Sequence, residues 1–254
     1  DEKRERDQAR VFTRMEWRSN AAGILPERRS QIWVVDVPEP GAPMPAPVQV
    51  TWGFYDHSNP RWSPDGKLLA FTAWRSEDEH QHKQDVFIVE VPGPDSPAAK
   101  ATPAPLPPGE KPPSGEIATA QADSLAAAAQ EAEAAFAPKC VTGSQGMFVE
   151  AVFSPDGSTL AVIGHLNEFM SVTQHRIFLY PVAGGEPKVL DNWDLSFYST
   201  VNADVRPGGQ GVEVTWAPDG NLIYVPVTER GACGVYAFPA AGGKPQLVAG
   251  GQRE

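Results

Sequence analysis

Trp62-Ser63-Pro64-Asp65-Gly66-Lys67-Leu68-Leu69-Ala70-Phe71 sets an aromatic ahead of a tight turn and an apolar run behind it, and the chain repeats the unit. The second copy is Phe153-Ser154-Pro155-Asp156-Gly157, leading into Leu160-Ala161-Val162-Ile163. The third is Trp216-Ala217-Pro218-Asp219-Gly220, leading into Leu222-Ile223-Tyr224-Val225. Proline fixes φ, aspartate bonds back to nearby backbone N–H groups, and glycine takes the positive φ that ends the turn. Each unit reads as strand, turn, strand, and its recurrence predicts an array of small sheets.

Outward from each turn the pattern continues. Val86-Phe87-Ile88-Val89 begins 21 residues after Asp65, Ile177-Phe178-Leu179-Tyr180 begins 21 after Asp156, and Val235-Tyr236-Ala237-Phe238 begins 16 after Asp219. Turns at Pro92-Gly93, Ala183-Gly184-Gly185 and Ala240-Ala241-Gly242-Gly243 follow, then short outer segments such as Pro187–Leu190 and Pro245–Val248. Four strands per repeat is the content of one β-propeller blade. An upstream copy lacks the turn but keeps later strands: Val11–Trp17 reads as a second strand, Ile32–Val35 as a third and Val48–Thr51 as a fourth. The expected fold is all-β, a β-propeller of about four visible blades near 1–53, 54–142, 143–193 and 194–254. The strands are nearly continuous in apolar residues, as sheets covered on both faces require. A β-sandwich of short strands is the alternative, and the repeat disfavours it.

One stretch breaks the pattern. Residues 92–113 hold nine prolines and read as extended linker, while 115–137 hold eleven alanines and read as a weakly amphipathic helix. Together, as 92–138, they form an insertion in the second visible blade. Two readings stay open for it: a surface excursion, or an arm that packs on a partner.

The net charge of −11 argues against nucleic-acid or anionic-membrane partners. No apolar run approaches the roughly 18 residues needed to cross a bilayer. Residues 1–10 lack the apolar core of a signal peptide. Cys140 and Cys233 match no zinc spacing and read as free thiols, which points to a reducing cytoplasm.

Catalytic and metal signatures are sparse. Thr142-Gly143-Ser144-Gln145-Gly146 has the wrong spacing for a nucleophile elbow and precedes a strand, so Ser144 reads as a loop serine. His80 and His82, after Glu77-Asp78-Glu79, lack further ligands at metal-site spacing and read as a solvated loop. His165 and His175 read as loop or channel-mouth residues. The expectation is no catalytic residue, no metal and no cofactor in this chain. Counting four residues back from each turn gives Asn59, Glu150 and Glu213, which the repeat places side by side at one rim of the central channel. Two carboxylates there would attract cationic peptide ends; the plainer reading is solvated residues at strand starts.

The aromatic-Ser-Pro-Asp-Gly turn with Ile32–Val37 and Asp85–Val91 resembles TolB-type propellers and the N-terminal propellers of the prolyl oligopeptidase superfamily. Arg10–Arg14, Arg29–Asp36, Asp194 with Asn202-Ala203-Asp204-Val205-Arg206, and Thr228–Gly231 resemble, in their order, the propeller of acylaminoacyl-peptidase-like members. The resemblance covers nearly the whole chain outside 92–138. It implies a closed ring, usually of seven blades, over an α/β-hydrolase domain with a Ser-Asp-His triad, which the propeller gates against large substrates. No hydrolase domain lies in these residues, so no family catalytic residue is carried over. The implied role is a non-catalytic filter in a serine peptidase, with its own hydrolase domain and short peptides as partners. The alternative is a stand-alone, protein-binding propeller of TolB type. An open arc of blades also exposes apolar faces, which predicts association into homo-oligomers.

Overall fold

The computed structural model describes residues 18–19, 23–24, 29–75, 83–93, 95–101, 116–144, 146–190, 194–197 and 213–250. Three four-stranded antiparallel sheets follow one another along these residues. The first is ordered β5 (His57–Trp62), β6 (Leu68–Ala73), β7 (Asp85–Glu90) and β8 (Lys139–Cys140). The next is β9 (Met147–Phe153), β10 (Thr159–His165), β11 (Arg176–Pro181) and β12 (Lys188–Leu190). The last is β13 (Thr215–Trp216), β14 (Leu222–Glu229), β15 (Ala232–Pro239) and β16 (Gln246–Gly250). Upstream, β3 (Trp33–Val34) pairs with β4 (Val48–Gln49), and β1 (Arg18–Ser19) pairs with β2 (Gly23–Ile24). Sheets of four sequential strands, packed face to face in chain order, make this a β-propeller of which part is seen. The second strand read at Val11–Trp17 lies outside the described residues.

The turns close as their residues demand. Ser63 N donates to Leu68 O (2.9 Å), and Gly66 N donates to Ser63 O (3.0 Å). Asp65 Oδ1 accepts from Ser63 Oγ (2.7 Å) and Lys67 N (3.1 Å), and Leu68 N donates back to Ser63 Oγ (2.9 Å). Ser154, Asp156, Ser158 and Thr159 repeat the set. Gly66, Gly157 and Gly220 hold φ of 71°, 72° and 73°, a region that costs a side-chained residue energy. The third turn keeps both backbone bonds but has Ala217 in place of the serine, so of the side-chain bonds only those to the aspartate remain, with Asn221 N donating to Asp219 Oδ1 (3.0 Å).

Continuous apolar strands arise because alternate residues serve two interfaces. Leu69 and Phe71 face Ile32 and Val50 of the preceding sheet, whereas Ala70 faces Phe148, Ala151 and Phe153 of the next. Leu160 and Val162 pack toward β6 and β7, and Ala161 and Ile163 pack toward Ile223, Val225 and Val227. Both faces are dry, so neither can be polar. Gly164 permits a close approach: a Cβ there would stand 2.5 Å from Phe148 Cδ1 and 2.4 Å from Met147 O.

The insertion falls between the third and fourth strands of its blade, because β8 pairs with β7 only after the helical arm. Pro97–Lys100 forms one turn of helix, capped by Ser96 Oγ accepting from Ala99 N (3.2 Å). Glu116–Ala135 forms a 20-residue helix, as its alanines favour, and Pro138 follows shortly after. Its C-terminal end is fastened to the same blade: Ala132 is buried, and the Phe136 ring lies 6.0 Å from His57 and 5.1 Å from the Arg75 guanidinium. A cleft of about 470 Å³ runs beneath it, lined by Trp52, Leu68, Ile88, Ala132 and Phe136 among others.

Candidate functional site

The three positions counted from the turns share one structural property: at or beside each, the regular pairing of the inner strand shifts or stops. Asn59 sits in a bulge of β5, between the pairs Ser58–Thr72 and Arg61–Ala70, at φ 53°. Glu150 pairs with Ile163 immediately before the register of β9 on β10 shifts. Glu213 lies ahead of β13 rather than in it. The β13–β14 register would set it opposite Pro226, which has no N–H to give. Ser196 pairs instead with Thr228, farther along that edge. Bulges at strand edges re-aim side chains and gather at sites of function.

The side chains at these positions join adjacent blades. Asn59 Nδ2 donates to Val149 O (3.0 Å) and to Thr72 Oγ1 (3.3 Å). Arg61 reaches across to Glu150 with two parallel bonds, Nε to Oε1 at 3.1 Å and Nη2 to Oε2 at 2.9 Å. Such a fork is the strong form of an ion pair. The Glu150 side chain is 4% exposed and that of Arg61 44%. Burial raises the carboxyl pKa of Glu150, against the opposing pull of Arg61, with the Glu213 charge adding to the rise. The expected pair of solvent-facing carboxylates is therefore corrected: Glu150 is buried and matched by Arg61. Glu213 is exposed and makes no ion pair with a described residue. Arg61 escaped the sequence reading because Val152 and Thr215 hold the equivalent positions in the other repeats, so no periodic signal marks it.

The remaining candidates separate. His165 ends β10, is buried, and accepts from Asn167 N at Nδ1 (3.1 Å), so it is a strand residue and not a loop one. Its ring lies 5.1 Å from that of His175. Burial lowers the pKa of His175 to about 4, with the neighbouring His165 adding to the shift. His57, which no motif marks, is buried at the start of β5, and burial followed by the Arg75 charge lowers its pKa to about 4. Ser144 lies in the turn after β8, at φ 60°, with its N–H donating to Asp85 Oδ1 (3.0 Å). Cys140 and Cys233 are both free. The Glu77–His82 cluster and Asn202–Arg206 lie outside the described residues. Among the described residues no three His, Cys, Asp or Glu side chains gather as a metal site, and no helix is long and apolar enough to cross a membrane.

No family model matches the chain, and no curated protein matches it. Solved structures do. The propeller domain of the Trilobed protease from Pyrococcus furiosus is 12% identical, over 80% of this chain and 44% of that one, at a TM-score of 0.39. TolB from Acinetobacter baumannii is 15% identical, over 82% of this chain and 47% of that one, at 0.35. A Mycobacterium tuberculosis puromycin-hydrolyzing peptidase is 15% identical, over 84% of this chain and 28% of that one, at 0.43. Propellers of peptidases and of TolB type thus stand together among its neighbours, and the chain spans less than half the length of each of these three. Likenesses at these scores carry no argument about activity.

Proposed function

We propose that this chain is the substrate-filtering, non-catalytic propeller of a serine oligopeptidase or acylaminoacyl-peptidase-like enzyme, partnered by an α/β-hydrolase domain of the same polypeptide. The observation that supports the reading is the irregular pairing of three successive inner strands, near which the polar residues Asn59, Arg61, Glu150 and Glu213 lie. A propeller used only as scaffold has no need to disturb its inner strands at matching positions. The ordered motifs resembling acylaminoacyl-peptidase propellers supply the reaction class.

With Glu150 matched by Arg61, the charge left to act on a passing peptide is that of Glu213. In the native enzyme, Glu213→Gln should lower kcat/KM for Lys- or Arg-rich short peptides by about two- to threefold at low salt, with neutral peptides unchanged. Equal rates for both peptide classes in both proteins would remove Glu213 from the filter.

A further inference from the structure

Arg75 follows β6 at the open end of its hairpin with β5, where Ala73 pairs with His57. Its guanidinium carbon lies 5.0 Å from the centre of the Tyr55 ring, 5.1 Å from that of Phe136 and 5.7 Å from that of Phe87. Nη1 donates to His57 Nε2 (3.4 Å). His57 and Phe87 are buried, while Arg75, Tyr55 and Phe136 are half-buried, so solvent still reaches the group. Ring faces offset part of the charge, but they accept little from N–H groups lying in the guanidinium plane. No ion pair among the described residues includes Arg75. Burial lowers its pKa, opposed only by the Tyr55 phenol. A cation is thus drawn out of water with no anion beside it, an arrangement that costs stability. The repeat does not require it. Ten residues past the turn aspartate, where the first copy has Arg75, the others have Leu166 and Glu229, and Phe148 stands in the place of His57. Phe136 belongs to the insertion, which the other copies lack.

We propose that Arg75, walled by Tyr55, Phe87 and Phe136, is a binding site for a carboxylate carried on an apolar body. The N–H edge of a guanidinium matches the two oxygens of a carboxylate, and the paired bonds are of the charge-assisted kind. His57, neutral and accepting from Nη1, holds the fork in place, and the half-buried rings of Tyr55 and Phe136 offer apolar contact to whatever carries the carboxylate. Phe136 gives the insertion a part in the site, because its helical arm ends where this ring reaches the guanidinium. A free amino acid derivative and the C-terminus of a short peptide share this chemistry. The inference concerns binding by the chain itself and does not rest on the peptidase reading.

The test is calorimetric titration of the full chain at low salt with N-acetylphenylalanine and with its amide. The acid should bind saturably and the amide about tenfold more weakly or not at all. This comparison needs no variant, so it stands whatever a substitution does to folding. Arg75→Gln should reduce the acid to the level of the amide, and Arg75→Lys, which keeps the charge but loses the fork, should fall between. Acetyl-Ala-Ala-Phe with a free carboxylate separates the two sources: tighter binding than the single residue makes a peptide end the ligand, and weaker binding a free acid. Equal binding of acid and amide overturns the proposal, as does undiminished binding by folded Arg75→Gln. It is also overturned if the acid binds only after Glu77→Gln, Asp78→Asn and Glu79→Gln are introduced together, because the chain's own carboxylates then hold the fork.

Discussion

Ser63 and Ser154 each tie a turn aspartate to the strand that follows, and Ala217 cannot. The third turn is therefore open to improvement at one atom. Ala217→Ser should add about 1 kcal/mol to stability in urea titrations, and Ser154→Ala should remove about as much or slightly more. The same bonds govern acid behaviour. Asp156 is held down to about 2 by Ser154 Oγ and the Ser158 backbone and side chain. Its contribution is complete above the ordinary value of 3.8 and is lost as pH falls through about 2. His57 and His175 act higher. Both are held neutral by burial, from 6.5 down to about 4, so the unfolded chain binds more protons in that window. Stability should be complete above pH 6.5 and fall steadily toward pH 4. The urea midpoint followed from pH 7 to 4 checks this, and His57→Gln should flatten the decline.

At the scale of the element, blades are joined by what their inner strands exchange. Arg61→Ala leaves the Glu150 carboxylate buried without its cation and should cost about 1–3 kcal/mol. Glu150→Gln in the same protein should recover part of that loss, a non-additivity that denaturation of the two singles and the double would show. The strands themselves were legible in the sequence, since Leu69-Ala70-Phe71 and Leu160-Ala161-Val162-Ile163 must be apolar at every position to fill two interfaces. The candidate site was legible only as a set of positions. Counting from the turns found Asn59, Glu150 and Glu213, but pairing depends on groups the count does not see. Pro226, which the β13–β14 register would set opposite Glu213, has no N–H to offer it. Arg61, unmatched in the other repeats, takes Glu150. His57 was invisible for a similar reason: its burial comes from Phe71 and from Phe136, which lies 79 residues further along the chain. The place of the insertion was also hidden, because the strand that follows it is only two residues long.

Over the whole molecule, successive blades carry a helical arm fastened to one of them and a run of irregular inner-strand positions with polar side chains. The proposed filter suits a propeller that works with another domain. Fluorophosphonate labelling of the native gene product, read as band size on a denaturing gel, tests that claim most directly. A labelled band well above 27.4 kDa is the predicted result, and it would join this propeller to a serine nucleophile. An unlabelled product of any size would contradict the peptidase reading and leave a stand-alone binding propeller in its place.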